Sequence, residues 1–132
     1  MAAVLCLIDR RANRLAQRLQ AAGHHVYQSF TADHAVSMCV NHYIDVAVLD
    51  QAIFVETDCW SVAQSIKSVR PSVQVVLMTR GIMIADQKPL GVDALLGHGA
   101  IPELLQYLES LEQAARSATR EAYPQTVTET IQ

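Results

Sequence analysis

The chain has 132 residues, 51% hydrophobic and 17% charged, which gives room for one packed domain and excludes a disordered polypeptide. A formal charge of −3 excludes an electrostatic case for nucleic acid or an anionic membrane as a general partner. No apolar run nears the ~20 residues of a membrane span, and the start Met-Ala-Ala-Val-Leu-Cys has no basic segment ahead of its apolar stretch, so a cytoplasmic protein is expected.

Ala3 to Ile8 is a continuous apolar run that ends in Asp9, the pattern of a strand covered on both faces. From Arg11 to Ala22, Ala12, Leu15, Ala16, Leu19 and Ala22 fall at helical steps, and Gly23 closes the segment as a C-cap. Val26 to Phe30 is expected as a short second strand. Thr31 is placed to cap a second helix, which buries Ala35, Val36, Met38, Cys39 and Val40 and ends near Asn41. Ile44 to Asp50 (Ile-Asp-Val-Ala-Val-Leu-Asp) is the central strand, again with a carboxylate at its carboxyl end.

After a loop over 51–57, Asp58 is placed to cap a third helix carrying Trp60, Val62, Ala63 and Ile66, which Pro71 brings to an end. Val73 to Met78 is the fourth strand and runs into Thr79. Gly81, Pro89 and Gly91 then interrupt any helix longer than about two turns, so the fourth helix is expected to be short or irregular. Val92 to Leu96 is a brief fifth strand. A long last helix follows from Pro102 to about Glu121, with Ile101, Leu104, Leu108, Leu111, Ala115 and Ala118 in alternating threes and fours. Pro124 stops it, so the domain is read as residues 1–121 and the Thr-rich residues 122–132 as a tail or linker.

Strands alternating with helices favour parallel pairing through right-handed crossovers, hence an α/β, doubly wound five-stranded sheet. In the flavodoxin-like order 2-1-3-4-5 the switch point lies between strands one and three, where ligands bind such folds. Those are the strands that end in Asp9 and Asp50. No Gly-rich phosphate loop follows strand one, which disfavours a nucleotide or flavin carrier. Cys6, Cys39 and Cys59 have no metal-ligand spacing and are expected as reduced, mostly buried thiols. His24, His25, His34 and His42 likewise lack the spacing of a zinc site.

With Leu-Ile-Asp9, Val-Leu-Asp50, the run from Arg70 to Thr79 and Gly91-Val-Asp-Ala-Leu-Leu96 in this order, the chain resembles the receiver domain of bacterial two-component response regulators over roughly residues 3 to 120. The resemblance implies that Asp50 is the phosphoryl acceptor, that an acidic pair after strand one holds Mg²⁺, that Thr79 contacts the phosphoryl group, and that a Lys after strand five neutralises it. A carboxylate that attacks a phosphodonor faces an anion, so the divalent ion and the ammonium offset a real repulsion.

Here the set is incomplete. His98 stands where the family has its Lys, and Gly99 follows where the family has Pro. The acidic pair is reduced to Asp9, flanked by Ile8 and Arg10, so the Asp9 and Asp50 metal site is expected to be weak or absent. The switch aromatic of strand five is Leu95. The implied protein is a degenerate receiver, or pseudo-receiver: a non-enzymatic regulatory module of phosphorelay signalling with no required cofactor. Its expected partners are a histidine kinase, an effector domain or another regulator. A homodimer through the last helix, where Ala115 and Ala118 allow close approach, belongs to the same reading. The alternative is a functional receiver, phosphorylated on Asp50 with Mg²⁺ held by Asp9.

Overall fold

The computed structural model describes residues 2–7, 14–50, 59–79, 91–97 and 100–122, with the side chains of the last helix as far as Ala115. Its elements are β1 (Ala3–Leu7), α1 (Arg14–Ala21), β2 (His25–Ser29), α2 (Ala32–Asn41), β3 (Val46–Asp50), α3 (Cys59–Val69), β4 (Gln74–Thr79), β5 (Ala94–Gly97) and α4 (Ile101–Ala122). All pairings are parallel and the strand order is β2-β1-β3-β4-β5, as expected from the alternation of elements.

Side-chain alternation along the strands builds two cores, one on each face of the sheet. Leu5, Leu7, Ala47, Leu49, Val75 and Leu77 face α2 and α3, where Ala35, Cys39, Val62, Ala63 and Ile66 close over them. Val4, Cys6, Val46, Val48, Val76 and Met78 face the other way, against Leu15, Ala16 and Leu19 of α1 and Leu104 and Leu108 of α4. The three cysteines are buried and unbridged.

The helix boundaries follow from local chemistry. Gly23 ends α1 with φ +95°, a backbone angle that suits glycine and strains other residues. Thr31 caps α2, its hydroxyl accepting from the His34 amide at 3.2 Å. At the far end of α2 the Arg70 guanidinium donates to the carbonyls of Cys39 (3.1 Å) and Val40 (2.9 Å), which ties α3's exit to α2's last turn.

Several expectations shift. β2 begins at His25 and ends at Ser29, leaving Phe30 outside, because the Ala3–Leu7 partners run from His25 to Ser29. β5 begins at Ala94 rather than Val92: Asp93 N–H donates to the Val75 carbonyl and its Oδ2 accepts the Val75 amide, both at 2.8 Å. Asp45 does the same ahead of β3, with its N–H on the Ala3 carbonyl and its Oδ2 accepting the Ala3 amide, again at 2.8 Å each. Val40, expected inside, is 45% exposed, and Trp60 is 42% exposed on the outer side of α3. The loop 51–57, the Asp58 cap, the fourth helix before Gly91 and the segment from Pro124 lie outside the described residues.

Candidate functional site

The carboxyl edge of the sheet is where β3 and β4 deliver the two described candidate residues. Asp50 is the last residue of β3, because Val46, Ala47, Val48 and Leu49 are fully buried strand formers that carry the chain straight to the edge. It is opposite Met78 of β4, so Thr79, the last residue of that strand, stands one residue further along and is itself paired with Gly97 of β5. Thr79 is half-buried.

Asp50 is 3% exposed, and with Ser29 it makes up the buried polar residues of the described core. A buried carboxylate is costly unless it is partnered, and this one stands at the sheet's switch point, the edge at which open α/β sheets bind their ligands. Asp50 and Thr79 both engage neighbouring groups.

Asp9 lies two residues beyond the end of β1, and His98 directly follows β5; both fall outside the described residues, as do Arg10 and Gly99. The structure therefore brings Asp50 and Thr79 to one edge. Mg²⁺ is held by one or two carboxylates together with water and phosphate oxygens. Asp50 offers one such carboxylate; among the described residues no group of three or more His, Cys, Asp and Glu is placed to hold a metal ion. Leu95, at the place of the family's switch aromatic, sits half-buried on β5 against the α2/α3-side core.

Ser29, at the same edge on β2, was not singled out from the sequence. Its hydroxyl donates to the Thr31 carbonyl (3.1 Å) and meets His34 Nδ1 at 3.0 Å. The pairing of a serine with a histidine five residues on, across a helix cap, is the signal that was there to read. With its hydroxyl fully buried and its hydrogen bonds used locally, Ser29 joins β2 to α2 instead of presenting a nucleophile.

The cysteines are far from reactive. Burial pushes the Cys6 thiol up to about 12. Burial also raises Cys39, to about 11, while the nearby Arg70 charge pulls against it.

No family model and no curated protein matches the sequence. Solved structures do match. A CheY-like response regulator receiver domain protein from Methanospirillum hungatei JF-1 is 18% identical, with a TM-score of 0.74 over 89% of this chain and 98% of that one. The receiver domain of a sensor histidine kinase from Pseudomonas aeruginosa PAO1, solved with a magnesium ion coordinated in its active-site cleft, is 19% identical, with a TM-score of 0.67 over 83% of this chain and 95% of that one. A member of a family of streptococcal redox sensors evolved from two-component response regulators is 13% identical, with a TM-score of 0.73 over 92% of this chain and 55% of that one. Together with the 2-1-3-4-5 order and the acidic strand end, these likenesses establish that the chain has the fold of a response regulator receiver domain.

Proposed function

We propose that this chain is a signalling module of receiver fold that acts through protein contact, with phosphoryl transfer to Asp50 weak or absent. The observation that carries the reading is a mismatch. The acceptor carboxylate is kept, buried at the end of β3, while the sequence around it has lost charge: Ile8 and Arg10 flank Asp9, and His98 takes the place of the lysine. Phosphorylating a carboxylate builds negative charge beside negative charge. Preorganised charges and hydrogen-bond donors lower that barrier, and removing one oxyanion-hole donor costs about 2.7–4 kcal/mol in measured cases. A neutral imidazole supplies no such charge, and one acid fewer weakens the hold on a divalent ion.

On this reading the domain needs no cofactor and is not an enzyme. Its partner is a kinase, an effector domain or another regulator, reached through its surface. The streptococcal redox sensors supply a parallel, as proteins described as having evolved from response regulators to another task. Among the described residues no helix is long and apolar enough to cross a membrane.

The second reading, a working acceptor with Mg²⁺ on Asp9 and Asp50, is favoured by the burial of Asp50 at the switch point with Thr79 on the next strand. Titration with Mg²⁺ and beryllofluoride, followed by NMR of the backbone amides around Asp50 and Thr79, separates the two. We expect no saturable shifts at millimolar ion. Saturable shifts lost in Asp50→Asn would establish the second reading.

A further inference from the structure

His24 stands between two partners that one ring nitrogen cannot serve at once. The residue follows Gly23 at the turn from α1 into β2. Its Nδ1 accepts the Ala2 N–H at 3.2 Å, and the same atom lies 3.7 Å from Glu112 Oε1 on α4. Accepting from Ala2 requires a lone pair on Nδ1, so the neutral ring carries its proton on Nε2. Donating to Glu112 requires a proton on Nδ1 itself. The two contacts are therefore alternatives, and proton uptake by the ring selects between them.

The surroundings suit such an exchange. The turn and α4 meet over a cavity of about 330 Å³ lined by Ala22, Gly23, His24, Leu105, Glu109 and Glu112. That space lets the imidazole and the carboxylate close from 3.7 Å to the ~2.8 Å of a charge-assisted bond. The charged groups that α4 brings to the cavity are both acids. From α1 the cavity receives Ala22, while Arg18, the basic residue of that helix's last turn, is exposed and does not line it. His25, next along β2, is occupied with Tyr27, ring centroids 4.7 Å apart. The His24 side chain is 10% exposed, so a charge on it is costly unless it is paired, and Glu112 is the pair within reach.

Glu112 also sits where α4 leaves the core. Leu104 and Leu108 are buried, Leu111 and Glu112 half-buried, and Gln113, Ala114 and Ala115 exposed. Helical ends without packing are only marginally stable in water, so one added contact at Glu112 acts on the turn that follows.

We propose that His24 is a proton-operated latch: the neutral ring holds the Ala2 N–H at the head of β1, and the protonated ring releases it and closes on Glu112, fastening α4 where the helix leaves the sheet. Acid thus trades a backbone bond at the amino-terminal edge for an ion pair to the last helix. Ala2 is 6% exposed, so its released N–H regains water only if the chain ahead of β1 moves. The inference goes beyond the function proposed above and does not depend on whether Asp50 accepts a phosphoryl group.

The test is NMR of the full chain, Met1 included, between pH 8 and pH 5, the range in which imidazoles gain their proton. We expect the His24 ring to pass from protonation on Nε2 alone to protonation on both nitrogens. Over the same range the Ala2 N–H should exchange with solvent about tenfold faster than the intrinsic effect of pH accounts for, while the amides of Gln113 to Ala115 gain protection. Glu112→Gln abolishes that gain at the helix and leaves the Nε2–H form at pH 8 in place. His25→Gln leaves every response unmoved. Glu112 is half-buried on the helix surface, and circular dichroism checks that its variant is folded. If Glu112→Gln does not fold, the ring nitrogens and the Ala2 N–H of the original chain carry the result. A ring that bears its proton on Nδ1 at pH 8, an Ala2 N–H indifferent to the protonation of His24, or protection of Gln113 to Ala115 that is the same in Glu112→Gln overturns the proposal.

Discussion

At the scale of single residues, two aspartates clamp the amino-terminal edge of the sheet, opposite the edge that carries Asp50. Asp45 and Asp93 each accept the amide of the strand next door while their own N–H meets the same residue's carbonyl. Each therefore satisfies an edge amide that β pairing does not reach, through a charge-assisted bond worth about 1.5–3 kcal/mol. We expect Asp45→Ala to lower unfolding free energy by about 1–2 kcal/mol in urea, and Asp93→Ala to do likewise while also freeing Lys67, which pairs with it at 2.7 Å. A loss below about 0.3 kcal/mol in both would show that water replaces the clamp at no cost.

The thiols make a prediction of opposite character, set by pH. Cys6 and Cys39 ionise near 12 and 11 in the folded chain, against about 8.5 when unfolded. A folded pKa raised above its unfolded value means stability that is complete below the unfolded pKa and lost as pH climbs through the folded one. Stability should hold to about pH 8 and fall progressively between about 9 and 12. Thiol reagents at pH 8 should modify the native chain no faster than it opens; rapid labelling of two thiols per native chain would contradict their burial.

Among the elements, the best-read ones were those whose signals are local. Gly23, Thr31 and Pro71 mark helix boundaries through their own backbone or hydroxyl chemistry, and the run Val46 to Asp50 announces a doubly covered strand ending in an acid. What stayed hidden depends on partners distant in sequence. The start of β5 is displaced by a side chain that bonds a residue 18 positions earlier, and the end of β2 is set by register with β1. Val40 and Trp60 have the right polarity for the core but sit on helix faces turned to solvent. Arg70 belongs to this class as well: it opens the run from Arg70 to Thr79 that contains β4, yet its side chain serves α2, 30 residues away. We expect Arg70→Ala to cost about 1–2 kcal/mol of stability, and Arg70→Lys to recover little of it, since a single ammonium does not reproduce two directed bonds. Full recovery by lysine would reduce the interaction to simple charge.

For the whole molecule, the fold was legible and the site only in part. Strand–helix alternation with acids closing strands one and three is a pattern that fixes the layer order and the switch point without any contact being known. Asp50 and Thr79 arrive at adjacent strand ends as their runs foretell. The core that holds them there is two-sided, and cutting it from either face should be costly: Leu77→Ala or Leu104→Ala, both fully buried, should each remove about 2–5 kcal/mol in urea denaturation. Losses below about 1 kcal/mol would mean that the two cores are loosely packed. The proposed function turns on whether Asp50, buried at the end of β3, accepts a phosphoryl group. The direct measurement is intact mass after incubation of the full chain with Mg²⁺ and acetyl phosphate, beside Asp50→Asn and a His98→Lys variant. Unmodified protein, with an adduct gained when His98 is replaced by lysine, is the expected result; a stoichiometric adduct on the original chain that disappears in Asp50→Asn would contradict it.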